Sequence, residues 1–445
     1  MSDPTPSPNS SPIVTPSRRE FLKTSSVIAA GGALASTLGI ARSAHAAGDD
    51  TIKIALVGCG GRGTGACEQA LSTTGPVKLV AMADAFRDNL DVSYRGLSKK
   101  HSDRMDVPED RKFVGFDAYQ KAIDSGIDLV ILATSPGFRP IHFEAAVNAG
   151  KHVFMEKPVS TDAAGIRRVL ASAEEAKKKN LKVGVGLQRR HQANYLETVK
   201  RLQDGEIGDI TAMRVYWNGQ TPWTRPRKPG MTEMEYQMRN WYYFVWTCGD
   251  HIVEQHIHNL DVAHWVKDVL PIRGNGMGGK QIRNVADHGQ TFDHHCVELE
   301  YADGSRVFSQ CRHTPGCWNP VAEYAHGTKG TCDISGSSID VKGGSTWAYG
   351  KRDYKNPYQV EHDDLFAAIR SDTPYNEAKR GAESTMMAIF GRMLTYSGQN
   401  LTWDEAINSK ISVMPKEFSF DATPPVVPDD KGNYPIPVPG QTRVV

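Results

Sequence analysis

The sequence predicts an α/β fold whose N-terminal half is a doubly wound parallel sheet, and three observations carry that expectation. A buried-strand run, Lys53-Ile54-Ala55-Leu56-Val57, leads into a glycine-rich turn and then a helix. Apolar strand runs and helical stretches go on alternating from residue 77 to residue 187. The turns and charged residues between them fall at the strands' C-terminal ends, the edge at which such sheets hold ligands.

The elements justify themselves in order. The first strand ends in Gly58-Cys59-Gly60-Gly61-Arg62-Gly63, and residues 64–71 read as a helix. Gly58, Gly60 and Gly63 fit G-x-G-x-x-G: the first permits the tight turn, the second lets backbone approach a pyrophosphate, and the third lets helix pack on strand. The helix N-terminus then faces the phosphates. The second strand, 77–83, runs into Asp84, about twenty residues past the third glycine, where an acid bonds ribose hydroxyls. That favours NAD; nearby Arg87 keeps NADP as the alternative. A strand at 128–133 ends in Thr134-Ser135-Pro136, a helix covers 140–149, and a strand at 152–155 ends in Glu156-Lys157-Pro158. A helix at 161–179 and a strand at 182–187 complete this half.

The 445 residues are 39% apolar and 23% charged, enough for a sizeable core in two domains. Basic residues number 52 and acidic 51; four and two of these fall in the first 46, leaving 48 and 49. With no basic stripe, nucleic acid is not an expected partner. Seven scattered cysteines with no C-x-x-C pair argue against a disulfide framework, Cys311 and Cys317 being the pair to check.

Residues 1–16 are rich in Ser, Pro and Thr. Arg18-Arg19 and an apolar small-residue run from about 27 to 40 follow, then Ala44-His45-Ala46. This is the layout of a twin-arginine (Tat) signal peptide over residues 1–46, too short and glycine-rich for a stable membrane span. The expected location is periplasmic or extracellular, with the Tat machinery as a partner. Tat carries folded proteins, so a cofactor would be inserted before export, held tightly and recycled in place.

At Glu156-Lys157-Pro158 the sequence resembles the Gfo/Idh/MocA family, named for glucose-fructose oxidoreductase and inositol dehydrogenase. The glycine loop, Ala133-Thr134-Ser135-Pro136, His142, Gly150-Lys151-His152-Val153, Gly205-x-Ile207-Gly208 and the 254–265 stretch extend the match. The resemblance implies a Rossmann domain followed by an α/β domain with a large open, mainly antiparallel sheet that commonly forms subunit contacts, hence a homo-oligomer. The expected organisation is a signal at 1–46, a Rossmann NAD(P)-binding domain at 47–187, a substrate and oligomerisation domain at 188–414, and a Pro-rich tail or arm at 415–445. Cofactor-binding candidates are Gly58, Gly60, Gly61, Arg62, Gly63, Asp84, Thr134, Ser135, Pro136, His142, Glu156 and Lys157.

The family carries a D-x-G-x-H-x-x-D pattern on a later helix. Here it reads Glu254-Gln255-His256-Ile257-His258-Asn259-Leu260-Asp261, with Glu254 for the usual Asp and His256 for the Gly. On one helix, 254, 258 and 261 share a face. Oxidising an alcohol needs a base for the hydroxyl proton, which suits His258. Lys157 polarises the oxygen, with Glu254 as partner. Arg190 and Trp223 join Lys157, Glu254 and His258 as substrate-binding candidates, Trp223 from an aromatic cluster at 217–246. His251, Glu254 and His258 sharing a face would suit a metal, but the spacing matches no zinc signature and none is assigned.

The expected activity is that of an exported NAD(P)-dependent oxidoreductase acting on CH–OH groups of a sugar, sugar acid or polyol. The alternatives are an NAD-dependent glycoside-cleaving enzyme working by oxidation, elimination and reduction, and a non-catalytic sugar-binding protein.

Overall fold

The computed structural model describes residues 50–350 and 355–445. The signal expected at 1–46 lies outside them. The apolar runs of the first half become strands β1 (Ile52–Val57), β2 (Val77–Asp84), β3 (Lys112–Val114), β4 (Leu129–Leu132), β5 (His152–Met155) and β6 (Val183–Val185). They are joined by helices α1 (Gly61–Leu71), α2 (Arg87–Lys100), α3 (Ala118–Ile123), α4 (Arg139–Asn148) and α5 (Ala163–Lys178). All pairings are parallel, in the order β3-β2-β1-β4-β5-β6. The order reverses between β1 and β4, so the ligand crevice opens beyond Val57 and Leu132. Both faces are covered, and the strands are accordingly apolar almost throughout.

Helix α6 (Ala193–Gln203) leads to the second sheet: β7 (Ile210–Gly219), β8 (Arg273–Gly279), β9 (His294–Glu300), β10 (Arg306–His313), β11 (Val321–Gly327), β12 (Gly330–Asp333), β13 (Ser338–Val341), β14 (Thr346–Ala348) and β15 (Leu401–Thr402). Its order is β14-β13-β12-β11-β7-β10-β9-β8-β15, antiparallel except where β10 meets β7. The expected α/β architecture, a Rossmann sheet plus an open, mainly antiparallel sheet, is therefore the one observed.

Between β7 and β8 lie α7 (Glu233–Arg239), α8 (Val245–Cys248), α9 (His251–Glu254) and α10 (Ile257–Lys267); α11 (Pro357–Ser371), α12 (Ala378–Ser397) and α13 (Trp403–Ile407) come later. One face of the second sheet packs on α10 and α12, burying Val215, Val297, Leu299 and Val307. The other face is open: rows such as Met277–Cys296–Gln310 cross it, and Met277 is 77% exposed.

Two local expectations change. The helix expected around 254–265 is broken: α9 ends at Glu254 and α10 begins at Ile257, with the His256 N–H reaching back to the His251 carbonyl at 3.1 Å. Buried His256, whose Nε2 lies 2.8 Å from Ser309 Oγ, anchors the break. The aperiodic stretch from 415 packs along the molecule. Phe420 lies 4.9 Å from Phe116 and 5.5 Å from Phe86, ring to ring, and Tyr434 is buried with its hydroxyl donating to Glu233 at 2.6 Å. Periodicity is blind to such a segment because its contacts are irregular in sequence.

All seven cysteines are free thiols, Cys311 buried and Cys317 exposed. Among the described residues no helix is long and apolar enough to cross a membrane.

Candidate active site

The glycine loop is shaped by its own backbone. Gly58 has φ +98°, and a Cβ there would stand 2.4 Å from the Ala133 carbonyl carbon and the Thr134 nitrogen. A Cβ on Gly63 would stand 1.9 Å from the Gly58 carbonyl oxygen. Gly63→Ala is therefore expected to displace the loop and abolish measurable cofactor binding, lowering the melting temperature by several degrees, about 1–3 kcal/mol of overpacking; calorimetry with and without NADH checks both. Gly60 and Gly61 differ, since a Cβ on either meets nothing within 4 Å. Nothing among the described residues requires their bareness; it leaves an open cradle at the N-terminus of α1, which has no side-chain cap and no acid in its first turn. An anionic pyrophosphate fits that cradle.

Asp84 holds the loop from below. One carboxylate oxygen accepts from Cys59 N at 2.6 Å and the other from Phe86 N at 2.9 Å, while burial raises its pKa. It lines a cavity of about 130 Å³ with Phe86, Phe116, Phe138, Met238 and Trp241, whose aromatic walls could receive a planar base. Arg87 turns away, paired with Asp91 and Glu109 on the surface. Thr134 and Ser135 line this slot and, with Pro136, a larger cleft of about 880 Å³.

His142 lies behind that wall. Its Nδ1 is 3.3 Å from Thr134 Oγ1, its ring stacks on Tyr119 at 4.1 Å, and it lines neither cavity. Burial, with Arg139 nearby, pushes it down to about 3. It is neutral and shapes the Thr134 turn from behind, where the sequence reading placed it among the cofactor contacts. Arg139, absent from that reading, is buried and ties two strand ends together, donating to the carbonyls of Thr134 at 2.7 Å and Glu156 at 3.0 Å.

Glu156 and Lys157 both reach the large cleft. Arg62 Nε stands 2.9 Å from Glu156 Oε1, an ion pair without hydrogen-bond alignment. Burial raises Glu156, with Arg62 and Lys157 opposing it. Glu361 on α11 is buried with neither carboxylate oxygen partnered, and burial pushes it well above the usual carboxylate range, with Glu156 adding to the shift. The Lys157 ammonium donates to the Glu254 carbonyl at 2.6 Å and to Glu254 Oε1 at 3.0 Å. Ninety-seven residues of sequence separate these partners, and the pair joins the end of β5 to the end of α9.

His258 lines the same cleft at 5% exposure, its ring 5.8 Å from Trp217 and its Nδ1 without a partner. Burial drives its pKa well below the ordinary histidine value, and the charges of Lys157 and Arg189 add to the shift. It is a neutral imidazole facing the space beside Lys157. Glu254 and His258 both reach the cleft although the helix breaks between them. Asp261, the third residue of the expected face, points elsewhere.

Arg190 is spent on Asp261. Its Nε lies 3.0 Å from both carboxylate oxygens and its terminal nitrogen 2.8 Å from one, with Ser384 donating to the same carboxylate at 2.7 Å. It does not line the cleft, so the expected substrate contact is a structural ion pair. Trp223 does reach it, 42% exposed; of the other clustered aromatics Trp241 also does, whereas Tyr236, Tyr243, Phe244 and Trp246 form core.

His251 leaves the face expected for it. It sits in a buried group with Asp250 and His295 whose ligand-type atoms lie within 4.8 Å of one another. Asp250 has φ 76° and is held there by three donors: it accepts from His251 N at 2.5 Å, Tyr396 Oη at 2.5 Å and Phe292 N at 2.9 Å. Both oxygens are thus engaged, and the strained residue fixes the start of α9, which carries Glu254.

The surroundings of this site have counterparts in known proteins. Residues 52–186 match the family model GFO_IDH_MocA, described as an oxidoreductase family with an NAD-binding Rossmann fold. An inositol 2-dehydrogenase of Acidiphilium cryptum is 26% identical over 267 residues, covering 59% of this chain and 69% of that one. The crystal structure of an aldose-aldose oxidoreductase from Caulobacter crescentus superposes with a TM-score of 0.62 at 18% identity, over 79% of this chain and 99% of that one. A scyllo-inositol dehydrogenase from Lactobacillus casei, solved with NAD(H) and scyllo-inositol, gives 0.60 at 20% identity, over 80% and 99%.

Proposed function

Because this chain belongs to the Gfo/Idh/MocA oxidoreductase family and is an NAD(P)-dependent CH–OH oxidoreductase, we propose that it interconverts a sugar, sugar acid or polyol hydroxyl and its ketone, with NAD as cofactor. The observation that carries this reading is the meeting of Lys157, Glu254 and His258 at one cleft that continues to the glycine loop. NAD, when bound, supplies the hydride acceptor at carbon. The Gly60–Gly61 cradle would hold its pyrophosphate and Asp84 its ribose. Arg87, turned to surface carboxylates, offers nothing to a 2′-phosphate, which supports NAD over NADP.

His258, held neutral by burial and lining the cleft, accepts the hydroxyl proton. Lys157 donates to the same oxygen and stabilises the charge that develops there. Glu254 fixes the Lys157 ammonium through two acceptors. Named relatives that act on inositols and aldoses favour a polyhydroxylated ring.

The cofactor is held tightly in this reading. Met238 and Trp241, from the second half of the chain, wall the adenine slot, and Phe418 and Phe420 of the C-terminal stretch pack behind Phe116 and Phe138. Retention suits the twin-arginine export proposed from residues 1–46. The open sheet face, with Met277, Phe308 and Trp318 exposed, is where a second copy would dock.

Protein purified without added nucleotide is expected to release close to one NAD(H) per chain on denaturation, read by absorbance and mass. Its bound cofactor should change redox state on adding a sugar or polyol, seen at the reduced nicotinamide band. Nucleotide-free protein that binds NADH only weakly would remove tight retention; a bound cofactor unresponsive to every carbohydrate would remove the activity.

A further inference from the structure

The cleft carries more positive charge than its own acids balance. Six cationic side chains line it, Arg62, Arg139, Lys157, Arg225, Lys228 and Arg239, against three carboxylates, Asp88, Glu156 and Glu254. Each carboxylate is already claimed: Glu156 by Arg62, Glu254 by Lys157, and Asp88 by Arg239 at 3.0 Å. Arg139 is buried against carbonyl oxygens. Arg225 and Lys228 remain, both exposed and lining the cleft, and neither forms an ion pair among the described residues, whereas Arg227 between them is taken by Glu233.

Their loop is built to hold them. Residues 220–232 join β7 to α7 and contain Pro222, Pro226 and Pro229, each of which fixes a backbone angle. Tyr243 Oη donates to the Pro222 carbonyl at 2.8 Å, and the Arg225 N–H donates to Asn240 Oδ1 at 2.8 Å. The Arg225 guanidinium lies over the Trp223 ring at 5.1 Å, a cation–π contact.

A short series of contacts links this loop to the reacting end of the cleft. The Trp223 ring lies 6.1 Å from Tyr242, and Tyr242 Oη is 3.5 Å from Gln255 Oε1, next to Glu254. The pyrophosphate cradle at Gly60 and Gly61 opens on the same cleft. Two exposed cations on a braced loop that lines the cleft attract an anion, and the planar arginine suits a carboxylate or phosphate.

We infer that Arg225 and Lys228 are the anion-recognising end of the substrate cavity, and that the carbohydrate this site takes carries a carboxylate or phosphate group. The inference rests on the proposed carbohydrate oxidoreductase reading and narrows its substrate class from sugars and polyols at large to their acids or phosphoesters.

The test is calorimetric titration of the NADH-loaded protein with glucose, glucuronate, gluconate and glucose 6-phosphate, at about 20 mM and about 200 mM salt. At least one anion is expected to bind about tenfold or more tightly than glucose, with the margin shrinking at the higher salt. The carboxylates and the phosphoester separate the two anion chemistries. In the double variant Arg225→Gln/Lys228→Gln the margin should vanish while NADH affinity stays within about twofold. Equal binding of glucose and every anion would overturn the inference and leave the oxidoreductase reading standing. A double variant that loses NADH affinity instead would make these residues a cofactor phosphate clamp and overturn it as well. NADH binding with no response to any carbohydrate would overturn the underlying reading and the inference together.

Discussion

Lys157→Met is expected to lower kcat/KM by about 10³-fold while leaving NADH affinity nearly unchanged, because in the proposed mechanism the ammonium donates to the substrate oxygen on which charge develops. In the resting site that ammonium is held by the carbonyl and carboxylate of Glu254. Removing it strands a largely buried carboxylate, so the single variant should also lose stability. The double variant Lys157→Met/Glu254→Gln separates the effects: stability should return, since no unpaired charge remains, and activity should not. Recovery of turnover in the double variant would assign Lys157 a structural role only. Stopped-flow measurement of cofactor reduction, with thermal melts alongside, reads both quantities.

His258→Asn is the second large effect, with an expected loss of about 10²- to 10⁴-fold in the oxidising direction. The pH profile carries the finer test. Burial, Lys157 and Arg189 hold His258 well below the ordinary histidine value. The neutral ring is the competent base, and a lowered pKa keeps it neutral as the solution becomes more acid. Wild-type kcat/KM for oxidation should therefore not show the loss with a midpoint at about 6.5 that an ordinary histidine base gives. A limb at that position, absent from His258→Asn, would mean that His258 titrates as an exposed histidine does and that the burial described above does not hold in the working enzyme.

Much of the dinucleotide half was legible because its signals are local. Strand runs, helical stretches and a glycine turn report within a dozen residues, and steric limits tie Gly58 and Gly63 to their places whatever the rest of the chain does. The helix began three residues earlier than its apolar pattern suggested, at Gly61, because glycines carry no periodicity to read. The second half was harder. The family pattern placed Glu254 and His258 at the cleft, but on a continuous helix that does not exist: bonding of His256 to Ser309 interrupts it. Arg190 looked available until Asp261, 71 residues on, was seen to take it. Arg139, Glu361 and Arg225 gave no signal, since an isolated charged residue in a sequence resembles any solvated one.

The sequence by itself determined the parallel sheet, the glycine turn, the acid at the end of β2 and the lysine at the end of β5. Each follows from spacing along one strand–turn–helix unit. Only the tertiary structure decided which side chains remain free to do chemistry. Lys157 finds Glu254 across the cleft, His251 goes to Asp250, His142 goes behind a wall, and Arg225 and Lys228 are left over. The physical reason is that a polar group's availability depends on whether a partner saturates it and whether water reaches it. Both are set by residues distant in the chain and adjacent only once it has folded.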